Sequence, residues 1–384
     1  MKKIIKKQAS IKPFPNPIYV TRPLMPNIND FYKKISDIFD AKWLTNSGNQ
    51  HAEFKKCLLK FLNAKNINLF CNGTLALDIA IKALDIKGEV ITTPFTFAAT
   101  PHVLSLNNIR PVFCDIDEKT LNIDVEKIEA LITPKTSAIL AVHVFGNPCD
   151  IEKLDKICKK YKLKLIFDAA HAFGVKINEK SIGSFGDISM FSFHATKAFN
   201  SIEGGCLMYN DSQLNEKIQL LKNFGIKNEN EIAMIGTNAK LNELQAAFGI
   251  LNLKIFPKEI EKRQKIARLY RKISEKTKGI KVMQDIKNVK HNYSYFPILI
   301  NKEEFGISRD DLYLKLKKYN IFSRKYFYPL CSNFSCYAKN NKPADLPIAN
   351  KIADSVLCLP IHGDLKTSDV EKICKIITII KNEK

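Results

Sequence analysis

Between residues 65 and 210 the chain alternates short apolar runs with stretches of helical periodicity, and this alternation is the strongest constraint on its fold. The apolar runs are NINLFC (66–71), GEVITTPF (88–95), PVFCDID (111–117), SAILAVHVFG (137–146), LKLIFDAA (163–170), DISMFSFH (187–194) and GGCLMYN (204–210). Near-continuous apolar strands separated by helices are typical of a parallel sheet covered on both faces. We therefore predict an α/β fold with a large, mostly parallel sheet.

The pattern changes toward the C-terminus. Residues 239–276 indicate a long, charged helix. A half-buried strand and two helices are predicted after it, at 289–300, 308–320 and 368–381. We predict a large domain over residues 1–255, which includes the N-terminal segment, and a smaller α+β domain over residues 256–384.

Composition limits the classes of function. The 384-residue chain has a formal net charge of +21, but its lysines are spread along the chain, which favours a general positive field over nucleic-acid binding. Its ten cysteines form no CxxC pair, so we expect reduced thiols and no metal site. The basic N-terminus lacks the apolar run of a signal peptide, and no segment approaches the roughly 20 apolar residues of a membrane span. These features predict a cytoplasmic protein.

Polar residues follow several of the predicted strands, where open parallel sheets bind ligands. Asn72-Gly73-Thr74 precedes a helix and forms either an anion site or a plain helix cap. Asp168 ends an apolar strand and needs a partner, either a salt bridge or a protonated ring nitrogen. Lys197 follows another strand and is either a nucleophile with a lowered pKa or a solvated lysine.

Further candidates lie beside these positions. His171 is a ligand-binding residue or a hydrogen-bonded core histidine, and Ser192 donates to a phosphate or faces the other side of its strand. PFTF (94–97) places an aromatic side chain at the next strand end. A phosphate cup, an aspartate and a lysine 29 residues later together meet the needs of pyridoxal 5′-phosphate (PLP). The combination predicts PLP chemistry.

The chain resembles the DegT/StrS-like fold-type-I PLP sugar aminotransferases in the order of its motifs. These are CNGT (71–74), PFTFAAT (94–100), DAAHAFG (168–174), SFHATK (192–197) and IEGG (202–205), with WLTNSG (43–48), VHVFGNPCD (142–150) and GTNAKLNELQAA (236–247) matching in order and approximate spacing. The resemblance extends from about residue 18 to residue 380. It implies a fold-type-I PLP transferase that forms a homodimer with active sites at the subunit interface.

The resemblance also implies roles for single residues. Lys197 matches the lysine that bonds the cofactor aldehyde, and Asp168 matches the partner of the pyridine nitrogen. His171 stands where the family often has Gln, near the phenolic oxygen of the cofactor. The implied cofactor contacts are completed by the phosphate ligands Gly73, Thr74 and Ser192, the ring-stacking Phe97, and Asn238 reaching the phosphate from the neighbouring subunit.

The substrate is implied by HATK…IEGG together with RKYFYPL (324–330). These are most similar to enzymes that aminate nucleotide-linked keto-6-deoxyhexoses, with C4 of a dTDP-linked 4-keto-6-deoxyglucose as the closest pattern and C3 as the rival position. L-Glutamate is the implied amino donor, pyridoxamine phosphate the intermediate form of the cofactor, and a surface glycan such as O-antigen the destination. Candidate substrate contacts are Thr45, Asn46, Arg324, Lys325 and Tyr326, and the last three fit a plain surface segment equally well.

Two other functions are weighed against transamination. Related dehydratases carry His in place of the lysine, whereas this chain reads Ala-Thr-Lys at residues 195–197. A non-catalytic, DNA-binding regulator is the alternative from a different class. The intact lysine, aspartate and cup argue against it.

Overall fold

The computed structural model describes residues 11–338 and 346–382 and is built around a seven-stranded sheet. In spatial order its strands are β2 (Asn66–Phe70), β10 (Gly205–Tyr209), β9 (Ile188–Ser192), β6 (Lys164–Asp168), β5 (Thr136–Val142), β3 (Glu89–Thr92) and β4 (Arg110–Phe113). Pairing is parallel from β9 to β4, and β10 is antiparallel to both of its neighbours. The predicted α/β class and its seven strands are confirmed.

Helices cover both faces of this sheet. Ile166 of β6 belongs to the apolar core under α3, whereas its neighbour Leu165 belongs to the core under α5, as expected for side chains that alternate between the two faces. The helices that pack on the sheet are α2 (Asn49–Leu62), α3 (Gly73–Ala83), α4 (Ala99–Leu106), α5 (Ile151–Tyr161), α6 (Leu214–Leu221) and the first half of α7 (Glu243–Ser274). Helix α1 (Ile28–Ala41) packs against α7. No helix in the described part of the chain has both the length and the apolar character that a membrane crossing requires.

The C-terminal part forms a second core around a small antiparallel sheet. The sheet has the order β13 (Ile280–Val282), β15 (Phe296–Ile300), β17 (Val356–Leu359). The helices of this part are the second half of α7, α8 (Lys302–Phe305), α9 (Arg309–Lys318), α10 (Pro347–Ser355) and α11 (Thr367–Asn382). Its helices over 308–320 and 368–381 were predicted and are confirmed.

The predicted single strand over residues 289–300 is wrong. The start of the segment forms strand β14 (Val289–Lys290), which pairs with β7 (Lys176–Ile177). Strand β7 also pairs with β8 (Lys180–Ser181). Only the end of the segment, β15, joins the C-terminal sheet. The two ends of the segment therefore pair in two different sheets, and the residues between them form a loop. The remaining short strands are β1 (Ile18–Tyr19) with β16 (Ile321–Phe322), and the hairpin β11 (Ile226–Asn228) with β12 (Glu231–Ile232).

Helix α7 is continuous over 32 residues and joins the two cores. Ile250 packs in the core of the large sheet, and Ile266 packs in the C-terminal core. The predicted boundary between residues 255 and 256 lies inside this helix, and Phe14, from the segment assigned to the large domain, packs in the C-terminal core. The division into two domains stays a prediction; parts of it, residues 1–10, 339–345 and 383–384, lie outside the described residues.

The N-terminus of α2 is held by a carboxylate from α7. Gly48 offers no side-chain cap to α2. Glu243 is 2% exposed and accepts hydrogen bonds from the backbone N–H groups of Gln50 at 2.7 Å and His51 at 3.0 Å. A carboxylate at this position also meets the positive end of the helix dipole. This contact ties α2 and the loop before it to the long helix.

We expect Glu243→Gln to lower the free energy of unfolding by about 1–3 kcal/mol, because the amide replaces one acceptor by a donor that faces a backbone N–H. The control is Glu261→Gln, the same change at an exposed position of the same helix, which should stay within about 0.5 kcal/mol of the wild type. Urea denaturation followed by circular dichroism measures both variants. Equal stability of the two variants would contradict the capping role.

Candidate active site

The carboxyl ends of four parallel strands border one cavity of about 440 Å³. The strands are β2, β3, β6 and β9, whose ends meet at the same edge because they run in one direction. Side chains from the C-terminal part, among them Tyr295 and Phe327, close the cavity from the other side. The predicted residues that line it are Gly73, Thr74, Phe97, Asp168, His171, Ser192, Lys197, Arg324 and Tyr326.

One wall is formed by the first turn of α3. Asn72 caps this helix, and its side-chain oxygen accepts a hydrogen bond from the backbone N–H of Leu75 at 2.8 Å. Gly73 and Thr74 follow in the first turn and line the cavity. N–H groups in the first turn of a helix have no acceptor within the helix, so those of Gly73 and Thr74 can bind an anion. This wall suits a phosphate.

Glycine is required at this wall by the close approach of three backbone segments. A Cβ atom added to Gly73 would lie 3.0 Å from the Cβ atom of Ser192. One added to Gly205 would lie 2.9 Å from the Cα atom of Gly73. A side chain at either position would therefore push the strand ends apart and fill the space beside the helix terminus. The cradle fits a phosphate group whose oxygens need closely placed donors.

Asp168 is a buried carboxylate at the end of β6, 5% exposed. Its Oδ2 accepts the hydroxyl proton of Thr100 at 2.8 Å, and its Oδ1 accepts the backbone N–H of Ala170 at 3.0 Å. The hydroxyl oxygens of Thr96 and Thr100 are 2.9 Å apart, so Thr96 donates to Thr100 when Thr100 donates to the carboxylate. Burial raises the pKa of Asp168, and the two hydrogen bonds and the charge of Lys197 act against this rise. A carboxylate in this setting favours a cationic partner, and a protonated pyridine nitrogen fits.

Lys197 lies in the loop after β9, where its backbone N–H donates to the carbonyl oxygen of His194 at 2.9 Å. The side chain lines the cavity and is partly exposed. Burial of the amine lowers the pKa of Lys197, while Asp168 and Tyr326 partly offset this effect. A lowered pKa increases the fraction of neutral amine, which is the nucleophilic form.

His171 is held in one tautomer. The backbone N–H of Phe145 donates to its Nδ1 at 3.3 Å, so the ring proton lies on Nε2. Burial lowers the pKa of His171 well below its ordinary value, and the charge of Lys197 acts in the same direction. The ring is parallel to that of Phe327, with centroids 5.5 Å apart. A neutral imidazole that donates through Nε2 can fill the same hydrogen-bonding role as a glutamine amide.

The backbone of His171 is anchored by the C-terminal part of the chain. Its carbonyl oxygen accepts hydrogen bonds from the side-chain amide of Asn292 at 2.8 Å and from the hydroxyl of Ser294 at 2.9 Å. Both donors are buried. They belong to the loop between β14 and β15. The position of His171 on the cavity wall therefore depends on hydrogen bonds from the C-terminal part of the chain.

Four predicted residues do not line this cavity. The Nζ of Lys325 lies 3.1 Å from the carboxylate of Asp310, away from the cavity. Thr45 and Asn46 lie in the loop between α1 and α2. Asn238 is exposed after the β11–β12 hairpin.

Several residues in and behind the cavity were not predicted. Thr100 hydrogen-bonds Asp168 from behind the cavity, and Thr96, which lines the cavity, contacts Thr100; their spacing of four within PFTFAAT is a signal for one face of a helical turn. Tyr295 lies in the loop between β14 and β15, where the alternating pattern predicts a strand, so its position has no local signal. Glu203 reaches the cavity because β10 starts beside the ends of β2 and β9.

Comparison with known proteins gives the same family in sequence and structure. The DegT/DnrJ/EryC1/StrS aminotransferase family model matches residues 27–378. A Shigella dysenteriae protein named dTDP-4-amino-4,6-dideoxy-D-glucose transaminase is 45% identical over 365 residues, which is 95% of this chain and 99% of that protein. An Escherichia coli protein of the same name is 46% identical over 365 residues, 94% of this chain and 98% of its own length. The solved structure of DesI in the presence of its TDP-sugar product is 33% identical, with a TM-score of 0.92 over 97% of this chain and 95% of that one.

The sheet order, the strand-end cavity and the structural similarity define a fold-type-I PLP transferase. The chain belongs to the DegT/DnrJ/EryC1/StrS aminotransferase family. It is a sugar aminotransferase, and PLP is its cofactor. The predictions of fold class, family and cofactor are confirmed.

We expect Thr100→Val to weaken PLP binding about three- to tenfold at about pH 7, because Asp168 loses one hydrogen bond. This hydrogen bond lowers the pKa of Asp168, so its removal raises that pKa. The carboxylate is then protonated at a higher pH on acidification, and the deficit in binding should grow toward about pH 5.

Fluorescence titration of the apoenzyme with PLP measures this effect. Thr378→Val removes a hydroxyl that donates within α11 and serves as the control with unchanged affinity. If Thr100→Val bound PLP as tightly as the control at both pH values, the support of Asp168 by Thr100 would be disproved.

Proposed function

We propose that this enzyme aminates C4 of a dTDP-linked 4-keto-6-deoxyhexose, with L-glutamate as the amino donor. The observation that carries the proposal is the 45% identity, over 95% of this chain, to a protein named dTDP-4-amino-4,6-dideoxy-D-glucose transaminase. The product is a 4-amino-4,6-dideoxyhexose still linked to its nucleotide. We place the reaction in the cytoplasm, on the way to a surface glycan such as O-antigen.

In this proposal three groups of cavity residues hold the cofactor. The first turn of α3 binds the phosphate through the N–H groups of Gly73 and Thr74, and the hydroxyl of Ser192 donates to it as well. Phe97 covers one face of the ring; its 61% exposure leaves the aromatic face available. Asp168 pairs with the ring nitrogen.

The catalytic residues of the proposal are Lys197, Asp168 and His171. PLP, when bound, would supply an aldehyde that condenses with amino groups and a ring that withdraws electrons from the neighbouring carbon. Lys197 accepts and returns protons at Nζ, a task favoured by its lowered pKa. Asp168, as a carboxylate, would pair with the protonated ring nitrogen, and the Nε2–H of His171 would donate a hydrogen bond to the phenolic oxygen.

The substrate contacts are proposed from the same cavity. The guanidinium of Arg324 can bind diphosphate oxygens in a bidentate way, and its neighbour Tyr326 offers a hydroxyl to the sugar. Lys325 contributes positive charge only if it leaves Asp310. Thr45 and Asn46 stay outside the cavity of their own subunit, so we propose that they act in the site of a second subunit.

We also propose that the enzyme is a homodimer with shared active sites. The β11–β12 hairpin and its flanks expose a run of apolar side chains, with Ile235 95% exposed, and such a surface favours burial against a partner. The run consists of Phe224, Ile226, Ile232 and Ile235. Asn238 follows the hairpin and lies outside the cavity of its own chain, as expected for a residue that reaches the partner's phosphate.

We expect Ile235→Asp to shift the protein from dimer to monomer, because a charge would be buried at the subunit contact. Light scattering after gel filtration should give about twice the 43.7 kDa of one chain for the wild type and one chain mass for the variant. Leu314→Asp, at an exposed leucine of α9, is the control that should remain dimeric. A dimeric Ile235→Asp protein would place the interface elsewhere.

The proposed reaction is tested by offering dTDP-4-keto-6-deoxyglucose and its 3-keto isomer with L-glutamate. We expect amination of the 4-keto sugar, identified by mass spectrometry and NMR, and no turnover by Lys197→Ala beyond one event per site. Borohydride reduction of the PLP-loaded wild type should label Lys197. Amine at C3 would move the assignment to the rival position, and a deoxygenated product without nitrogen would make the enzyme a dehydratase.

A further inference from the structure

The cavity contains a second carboxylate whose hydrogen-bonding capacity is incompletely used. Asp168 and Glu203 both line the cavity, but Asp168 already accepts from Thr100 and Ala170. The Oε1 of Glu203 lies 3.4 Å from the Nε2 of His194, and its Oε2 has no hydrogen-bond donor among the described residues. The side chain is 47% exposed, so a ligand can reach it.

The imidazole of His194 lies beside Glu203. The Nδ1 of His194 accepts the backbone N–H of Thr196 at 3.2 Å and lies 2.7 Å from the hydroxyl oxygen of Thr196. Since Nδ1 is an acceptor, the proton of the neutral ring lies on Nε2, which is 3.4 Å from the Oε1 of Glu203. His194 thus lies beside one carboxylate oxygen, and the other is open to a ligand.

The backbone around Glu203 is fixed as well. Ile202 has a left-handed φ of 70°, which a β-branched residue adopts only when its surroundings hold it there. The hydroxyl of Ser201 donates to the carbonyl oxygen of Glu203 at 2.9 Å. A Cβ atom at Gly204 would collide with the hydroxyl of Ser201, and one at Gly205 would collide with the backbone of Gly73. The IEGG motif thus sets Glu203 at a defined position beside the phosphate cradle.

The two reactants of the proposed function differ in the groups they offer to this carboxylate. A nucleotide-linked hexose carries hydroxyl donors on its ring, whereas a dicarboxylic amino acid carries none. A free carboxylate oxygen accepts hydrogen bonds from hydroxyl groups, and such charge-assisted bonds are stronger than neutral ones. Arg324, also on the cavity wall, has the opposite charge and suits the anionic groups that both reactants carry.

We propose that Glu203 is a specificity-determining residue that accepts hydrogen bonds from the hydroxyl groups of the sugar. The inference rests on the proposed nucleotide-sugar substrate. It assigns Glu203 to the sugar half-reaction alone, since the amino donor has no hydroxyl group to bind. Contacts to the diphosphate fall to Arg324 instead.

The test measures the two half-reactions separately in the PLP-loaded Glu203→Gln enzyme. Absorbance changes of the bound cofactor follow the reaction with L-glutamate, and then the reaction of the aminated enzyme with dTDP-4-keto-6-deoxyglucose. We expect the half-saturating concentration of the sugar nucleotide to rise about five- to twentyfold, as for loss of one charge-assisted hydrogen bond. The half-saturating concentration of L-glutamate and the inhibition constant of dTDP should stay within about twofold of the wild type.

Glu261→Gln, an exposed change on α7, is the matched control and should leave all three values unchanged. An unchanged glutamate reaction in Glu203→Gln also shows that the variant is folded and binds PLP. Equal losses in both half-reactions, or an unaltered response to the sugar nucleotide, would overturn the inference while leaving the proposed function standing. A wild-type enzyme that aminates no nucleotide sugar would overturn both.

Discussion

The central physical problem of this site is an acidic side chain at the end of a strand that is otherwise buried and apolar. Burial opposes the ionised form of Asp168, and the protein compensates with a hydroxyl from Thr100, a backbone N–H from Ala170 and the nearby charge of Lys197. The same burial depresses the pKa of Lys197. Each group therefore favours the charged form of the other, and in the proposed function a cationic cofactor ring is a second positive partner for the carboxylate. Burial of both side chains in one cavity therefore sets the protonation of the acid and of the amine together.

The cavity is assembled from two cores, and His171 is where they meet. Its Nδ1 receives a hydrogen bond from Phe145, which follows β5, and its carbonyl oxygen receives two from the loop before β15. The imidazole also lies against Phe327 of the C-terminal part. The tautomer of this ring is therefore set by a backbone N–H 26 residues away, and its position by contacts with segments more than 100 residues away in sequence. A glutamine at this position would need no such control, because its amide has a fixed donor and a fixed acceptor.

Much of the fold was predictable from sequence because the apolar runs are long and separated by clear helical periods. The residues that follow the predicted strands then indicated Lys197 and Asp168 as site residues, because an acid and an amine at strand ends are recognisable in their own short motifs. The antiparallel direction of β10 was not predictable, since an apolar run looks the same in either direction, and the position of Glu203 depends on that direction. The split of residues 289–300 between two sheets was hidden by their alternation, which is preserved across the loop. In both cases the outcome depends on strand pairing between segments that are distant in sequence, for which the local pattern contains no signal.

Helix α7, about 48 Å long at 1.5 Å per residue, has Pro257 between the parts that pack on the two cores. Proline has no N–H group, so the carbonyl of Leu253 lacks its helical donor, and bending at this turn breaks no backbone hydrogen bond. Lys197 stands with the large sheet and Arg324 with the C-terminal part, on walls that the helix joins mechanically. A change in the curvature of this helix, which contributes no side chain to the cavity lining, would therefore move the two walls relative to each other.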